Sequence, residues 1–284
     1  MGLIEKLLSG IQYLLPHHLL SRLVYAFMRI RLAPVKNSQI ALIGSMVGVA
    51  WEEAKIENIS EFETFNDFFT RELKPDVRQI DPDPLAFVSP SDGKISQSGR
   101  ITNDRILQAK GQHYSVRTLL ANDPSCVEFT NGFFTTVYLS PRDYHRVHMP
   151  LEGHLQRMIH VPGRLFSVAP YTVRQVPDLF ARNERVISVF DTTHGPMALV
   201  LVGAMLVSSM ETVWSGVVTP PRGRKITHGD WSRHDIRLAR GAEMGRFNMG
   251  STVILLLPPG AVSAIEHYES GDDVVMGQKL GRLR

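Results

Sequence analysis

The sequence predicts an α+β protein in which N-terminal amphipathic helices precede a β-rich domain with carrier-like sandwich or barrel features. Three observations predict it. Apolar residues recur at helical spacing over the first 36 positions, β-branched and aromatic runs separated by turn residues dominate from residue 85 onward, and the single cysteine, Cys126, rules out an intramolecular disulfide framework. At 284 residues, with 43% hydrophobic and 21% charged content, the chain is long enough to bury a sizeable core. Residues 1–75 read as a helical docking region and residues 76–284 as the β-rich domain. Cys126 lies beside an apolar and aromatic stretch and reads as a buried structural thiol in a reducing compartment.

The first stripe comprises Leu3, Ile4, Leu7, Leu8, Ile11, Leu14 and Leu15 and stops at Pro16; Leu19, Leu20, Leu23, Val24, Phe27 and Ile30 repeat the spacing. Lys6, Arg22, Arg29, Arg31 and Lys36 oppose Glu5 alone, so this segment carries +4 of a chain whose total is +3. A membrane interface with anionic headgroups satisfies that pattern, and so does packing on the rest of the chain. The uncharged stretch from Asn37 to Trp51 carries Asn37, Ser38 and Gln39 and is shorter than the ~20 apolar residues a spanning helix needs. Basic residues are not spread over a reader motif, which argues against a nucleic-acid partner.

Ser60-Glu61-Phe62-Glu63 has a capping-box pattern, and Phe62, Phe65, Phe69 and Leu73 form one stripe, so a short helix is expected here. Val127–Leu139, Val186–Phe190, Ala198–Val207, Val213–Val218 and Val253–Leu257 are the clearest strands. Ser91–Ile95 and Gly271–Gly281 look like strands of a biotinyl or lipoyl carrier. Lys279 lacks the hairpin setting of a modified lysine, so the likeness is one of architecture.

Gly250-Ser251-Thr252 interrupts an apolar segment 34 residues from the C-terminus. Glycine before a hydroxyl residue permits the strained backbone in which Oγ approaches the preceding carbonyl, although most such tripeptides are turns or strand edges. Asp92, His148 and Ser251 supply an acid, an imidazole and a hydroxyl. If the fold gathers them, aspartate can fix the histidine tautomer, histidine can deprotonate the serine, and the serine can attack. Each has a plainer reading: Asp92-Gly93 is a common turn pair, and His148 before Met149-Pro150 suits a loop histidine. His145 and His148 have a spacing that a helix could offer to zinc, but Pro141 and Pro150 bracket them and no further ligand pair accompanies them, so no metal is expected. Dinucleotide and phosphate-binding glycine loops are absent.

Four stretches occur in order: Ser89-Pro90-Ser91-Asp92-Gly93-Lys94-Ile95; Tyr138 to Pro150 with Asp143-Tyr144-His145-Arg146-Val147-His148 inside it; Ala181-Arg182-Asn183-Glu184-Arg185-Val186 with Glu211-Thr212-Val213-Trp214 beyond; and Glu243-Met244-Gly245-Arg246-Phe247-Asn248-Met249-Gly250-Ser251-Thr252. Together they resemble the bacterial phosphatidylserine decarboxylases over nearly the whole chain, with Met249 where that family usually has leucine. The resemblance implies a precursor cleaved between Gly250 and Ser251 into a β chain, 1–250, and an α chain, 251–284. It implies that Asp92, His148 and Ser251 perform the cleavage and that Ser251 becomes a covalent pyruvoyl group. That ketone would form a Schiff base with phosphatidylserine and release carbon dioxide and phosphatidylethanolamine, with His145 assisting decarboxylation or proton return. It further implies peripheral residence on the cytoplasmic side of the inner membrane and a dimer of processed pairs. Two rival classes use the same features differently: a serine hydrolase acting on an external ester, which lacks here the Gly-x-Ser-x-Gly elbow, and a non-enzymatic lipid-binding protein, which leaves the Asp, His and Ser without a role.

Overall fold

A computed structural model describes residues 3–205, 209–220, 223, 225–248 and 251–284. Three helices open the chain: α1 (Leu3–Ile11), α2 (His17–Phe27) and α3 (Ala33–Val47). The third occupies the uncharged stretch that was too short to span a membrane, with Pro34 in its first turn and Gly48 ending it in the left-handed region at φ 72°. No helix among the described residues is long and apolar enough to cross a membrane. The expected short helix is α4 (Phe65–Phe69), but its cap is Thr64, which exchanges hydrogen bonds with Asp67, and not Ser60. Ile59–Glu61 instead forms a single tight turn capped by Asn58.

These helices share a small core of Met28, Ile40, Val49, Phe62, Phe65, Phe68 and Phe69. Lys36 is buried at its edge, its Nζ donating to the carbonyls of Ile59, Ser60 and Phe62 at 3.3, 3.0 and 2.5 Å. Lys36 is therefore a structural cation and is not available to headgroups.

The β-rich part is built on a nine-stranded antiparallel sheet. Its order is Thr227–Asp230, Gly153–Val161, Arg185–Thr192, Gly195–Val202, Thr252–Leu257, Phe133–Tyr138, Gly93–Arg100 and Asp273–Val274, with Arg237–Leu238 also pairing with Gly153–Val161. Thr252–Leu257 lies at its centre, fully buried and paired on both sides. Alternation explains the unbroken apolar run: Val253, Leu255 and Leu257 fill the core on one face while Ile254 and Leu256 fill the core on the other. A four-stranded sheet, Gly216–Thr219, Met210–Thr212, Glu243–Phe247 and Arg146–His148, packs alongside. A three-stranded sheet joins Ala86–Val88, Lys279–Leu283 and Val262–Ile265. The two ends that resembled carrier strands do meet, since Asp273 pairs with Lys94 and Val274 with Gly93.

Three expected strands have other boundaries. Val127–Leu139 divides into a 3-10 turn, Pro124–Phe129, and the strand Phe133–Tyr138, because Asn131 adopts a left-handed φ of 62° and Gly132 packs against the Leu257 carbonyl. Val213–Val218 divides into a turn, 213–215, that follows Met210–Thr212, and the first three residues of the strand Gly216–Thr219. The predicted strand Ala198–Val207 is found as Gly195–Val202, and its end lies outside the described residues.

Gly93 starts its strand at φ 149°, and a Cβ there would run into the Tyr138 carbonyl. Gly93→Ala should therefore destabilise the fold by at least about 2 kcal/mol, read as a lowered denaturant midpoint.

Candidate active site

Three backbone junctions bring the expected site residues to one end of the large sheet. The loop Ser89–Asp92 is tied to the strand Arg146–His148 by the His148 N–H, which donates to the Pro90 carbonyl at 2.7 Å. The Ser251 carbonyl accepts from the Leu139 N–H at 2.8 Å. Tyr138 pairs with Lys94 on one side and Thr252 on the other, so the strands that begin beside Asp92 and Ser251 lie roughly 10 Å apart, two strand spacings.

The strand Arg146–His148 runs antiparallel to Glu243–Phe247, the segment leading to the Gly250–Ser251 bond. His148 lies opposite Glu243, whereas the His145 carbonyl accepts from the Phe247 N–H at 3.0 Å. Along this ladder it is His145 that sits beside the approach to Ser251. Gly250 itself lies outside the described residues.

Ser251 is fully buried, and its Oγ has no hydrogen-bond partner among the described residues. His148 Nδ1 is 2.8 Å from the Gly241 carbonyl, which can only accept, so Nδ1 carries the proton. Nε2 is then the bare nitrogen and accepts from the Tyr144 hydroxyl at 3.1 Å. Burial holds His148 below its ordinary pKa, against the opposing pull of the Gly241 bond and of the Glu243 and Asp92 charges. Asp92 therefore acts on His148 through its field and not through contact. Its carboxylate accepts from Arg78 Nε at 2.9 and 3.1 Å, from an Arg78 terminal nitrogen at 2.6 Å and from the Met276 N–H at 2.8 Å. Arg78 also grips Glu53, at 3.1 and 2.7 Å. No hydrogen bond of the described residues joins Asp92 to His148 or His148 to Ser251.

His145 is fully buried, its ring 4.0 Å from that of Phe69 in α4. Its Nδ1 donates to the Asp143 carbonyl at 2.7 Å, which leaves Nε2 bare and, among the described residues, without a partner. Burial pushes its pKa down to about 3, so at neutral pH this imidazole is uncharged. His148 lies on the extended strand Arg146–His148 and His145 immediately before it, so the two do not share the helical face that a zinc pair of this spacing would use.

Several residues of this arrangement are silent in the sequence. Tyr144 lies inside a quoted motif, but its role depends on the backbone bend that returns its hydroxyl to His148 four residues on. Arg78, Glu53 and Gly241 reach the site only through tertiary contacts, and no local pattern marks them.

A family model for phosphatidylserine decarboxylase matches residues 65–282, and a second, described as PSD, matches residues 7–43. The chain is 54% identical over 283 residues to a phosphatidylserine decarboxylase proenzyme of Ectopseudomonas mendocina, covering 99% of each chain. It is 51% identical over 273 residues to one of Pseudomonas fluorescens, covering 95% of each. To one of Methylococcus capsulatus it is 52% identical over 280 residues, covering 98% of this chain and 97% of that one. With a family model matching residues 65–282 and its length matched almost end to end, the chain belongs to the phosphatidylserine decarboxylase family.

Proposed function

We propose that this chain is the precursor of a pyruvoyl-dependent enzyme that converts phosphatidylserine to phosphatidylethanolamine and carbon dioxide, and that it cuts itself between Gly250 and Ser251. The observation that carries this reading is the near end-to-end match to phosphatidylserine decarboxylase proenzymes, 54% identical over 283 residues in one case, with Ser251 buried immediately before the central strand. In self-cleavage His148 takes the Ser251 proton at Nε2, and Oγ attacks the Gly250 carbonyl carbon, exchanging the amide for an ester and freeing the Ser251 amine. Loss of the Ser251 α-proton then breaks the Oγ bond and leaves Gly250 as a carboxylate. One water replaces one ammonia to complete the ketone. Tyr144 must yield Nε2 for the first transfer, and the negative field of Asp92 favours the imidazolium that results.

The Ser251 position fits a pyruvoyl group, because it is closed to solvent and its polar atom has no competing partner among the described residues. Such a group supplies a carbonyl that accepts the electrons left when carbon dioxide departs. His145, uncharged and with a bare Nε2, offers that atom as an acceptor, and its role here is to assist decarboxylation or the return of a proton that it holds only transiently. His148→Ala and Asp92→Ala should remain whole on denaturing electrophoresis, while His145→Ala should still yield two chains and lose at least about 100-fold in turnover. A His145 variant that cannot cleave, or a His148 variant that cleaves normally, contradicts the assignment.

The pH dependence of processing follows from the same site. Since His148 titrates below its ordinary value of 6.5, it is neutral above that pH and processing should be level there, failing only as pH falls through the lowered pKa. A rate that titrates at or above 6.5 would remove His148 as the base.

Residues 1–75 are proposed to dock the enzyme peripherally on an anionic membrane, and the support is an inverted amphipathicity. Helices α1 and α2 and the turn between them put Ser9, Gln12, His17 and Ser21 inside and leave Leu7, Leu14, Leu19, Leu23 and Phe27 outside, Leu14 at 87% exposure. Helix α3 adds Leu42 and Met46, the latter 76% exposed. The inward side is fixed to the β-rich part by polar contacts: Gln12 accepts from the Ser167 N–H at 2.8 Å and His17 from the Leu165 N–H at 3.2 Å. An apolar face of this extent is costly in water and matches a bilayer interface. Replacing Leu14 and Leu23 together by Asn should weaken sedimentation with phosphatidylserine-containing vesicles about 10-fold or more while leaving the melting temperature unchanged. Undiminished vesicle binding would move docking to another surface.

A further inference from the structure

Ser251 is held from downstream by the central strand, but attack requires that the Gly250 carbonyl be held as well, with reacting atoms roughly 3–3.5 Å apart. Two residues separate Ser251 from Asn248, and Asn248 is fully buried. Its N–H donates to the Ser209 carbonyl at 2.9 Å, and its Nδ2 donates to Ser209 Oγ and Glu211 Oε1, each at 2.7 Å. Its Oδ1 accepts at 2.9 Å from Nδ2 of Asn66, a residue 182 positions earlier in α4. Asn66 is itself buried, and its N–H donates to the Met28 carbonyl just beyond α2 at 3.0 Å. Phe69, one turn further along α4, carries the His145 ring.

Helix α4 thus touches both the chain entering the scissile bond and the histidine beside it. We infer that Asn66 and Asn248 are positioning residues for self-cleavage, through which the helical region fixes the upstream side of the Gly250–Ser251 bond. The inference rests on the self-cleavage reading given above. It makes the helices more than a membrane dock: α2, α4 and the segment before Ser251 are linked by consecutive hydrogen bonds, so the precursor reaches its cleavage geometry only with the helical region seated. The pair is a specific one, because a buried amide donor facing a buried amide oxygen loses its bond on any change that removes the donor, at little change in volume for Asn66→Asp.

The full-length precursor tests this as wild type, Asn66→Asp, Asn66→Ser, Asn248→Ala and the double variant Asn66→Asp with Asn248→Ala. Conversion to two chains is timed by denaturing electrophoresis, and each melting temperature is measured. Asn66→Asp and Asn248→Ala should each slow conversion at least ten-fold with melting temperatures within a few degrees of wild type. Asn66→Ser, which keeps a donor, should recover part of the rate. The double variant should be no slower than Asn248→Ala alone, since Asn66 acts through that side chain. Conversion of either single variant at the wild-type rate, or slowing that multiplies in the double variant, would overturn the inference. A slowing that follows melting temperature alone would overturn it as well. A wild-type chain that stays whole would instead remove the self-cleavage reading beneath it.

Discussion

The rest of the structure depends on the pairing of Thr252–Leu257 between Gly195–Val202 and Phe133–Tyr138. This strand is the middle of the large sheet, buried on both faces and hydrogen-bonded on both edges. Ser251, the residue before it, inherits that immobility through the bond from Leu139 to its carbonyl. A cleavage at its N-terminal side would free a chain end without freeing the strand, because the new end stays seated in the hydrophobic core and its later strand Lys279–Leu283 stays paired with Ala86–Val88. The reacting residue is thereby fixed by backbone structure alone, and the side chains around it need only supply protons and orientation.

That economy explains the arrangement of the two histidines. Both use Nδ1 to bond a carbonyl, of Gly241 and of Asp143, and both therefore present Nε2 as the bare nitrogen. They differ in what surrounds it. Nε2 of His148 has a hydroxyl partner and lies within the field of Asp92 and Glu243, while Nε2 of His145 has none among the described residues and its ring is buried against Phe69. Environment thus gives one residue type two distinct proton affinities within four positions of chain.

Much of this was legible in the sequence, and the limits have physical reasons. Val253–Leu257 announced a strand buried on both faces, and the leucine stripes announced α1 and α2, because period and β-branching are local properties. Which side of those helices faces water was not legible: the leucine stripes suit a membrane interface and internal packing alike, and the hydrogen bonds of Gln12 with Ser167 and Thr172 and of His17 with Leu165 are what turn the polar side inward. Helix α3 was missed because its apolar residues are not confined to one side and it carries a proline where helices are usually stopped, here tolerated in the first turn. The cap fell on Thr64 and not on Ser60, since Thr64 is followed by Asp67 at the position where a reciprocal bond can close. Asp92, His148 and Ser251 were singled out by resemblance, but the Arg78 clamp on Asp92 and the Gly241 carbonyl behind His148 arise from chain crossings that no local pattern records.

The central claim is that Ser251 is converted while its strand stays locked in place. Mass analysis of one purified sample, first in native and then in denaturing solution, tests it most directly. The account predicts a single species with the mass of the assembled protein in native solution. On denaturation it predicts two chains, the smaller comprising residues 251–284 with a ketone in place of the Ser251 amine. An intact 284-residue chain in an active preparation, or a small chain that begins with unmodified serine, would contradict it.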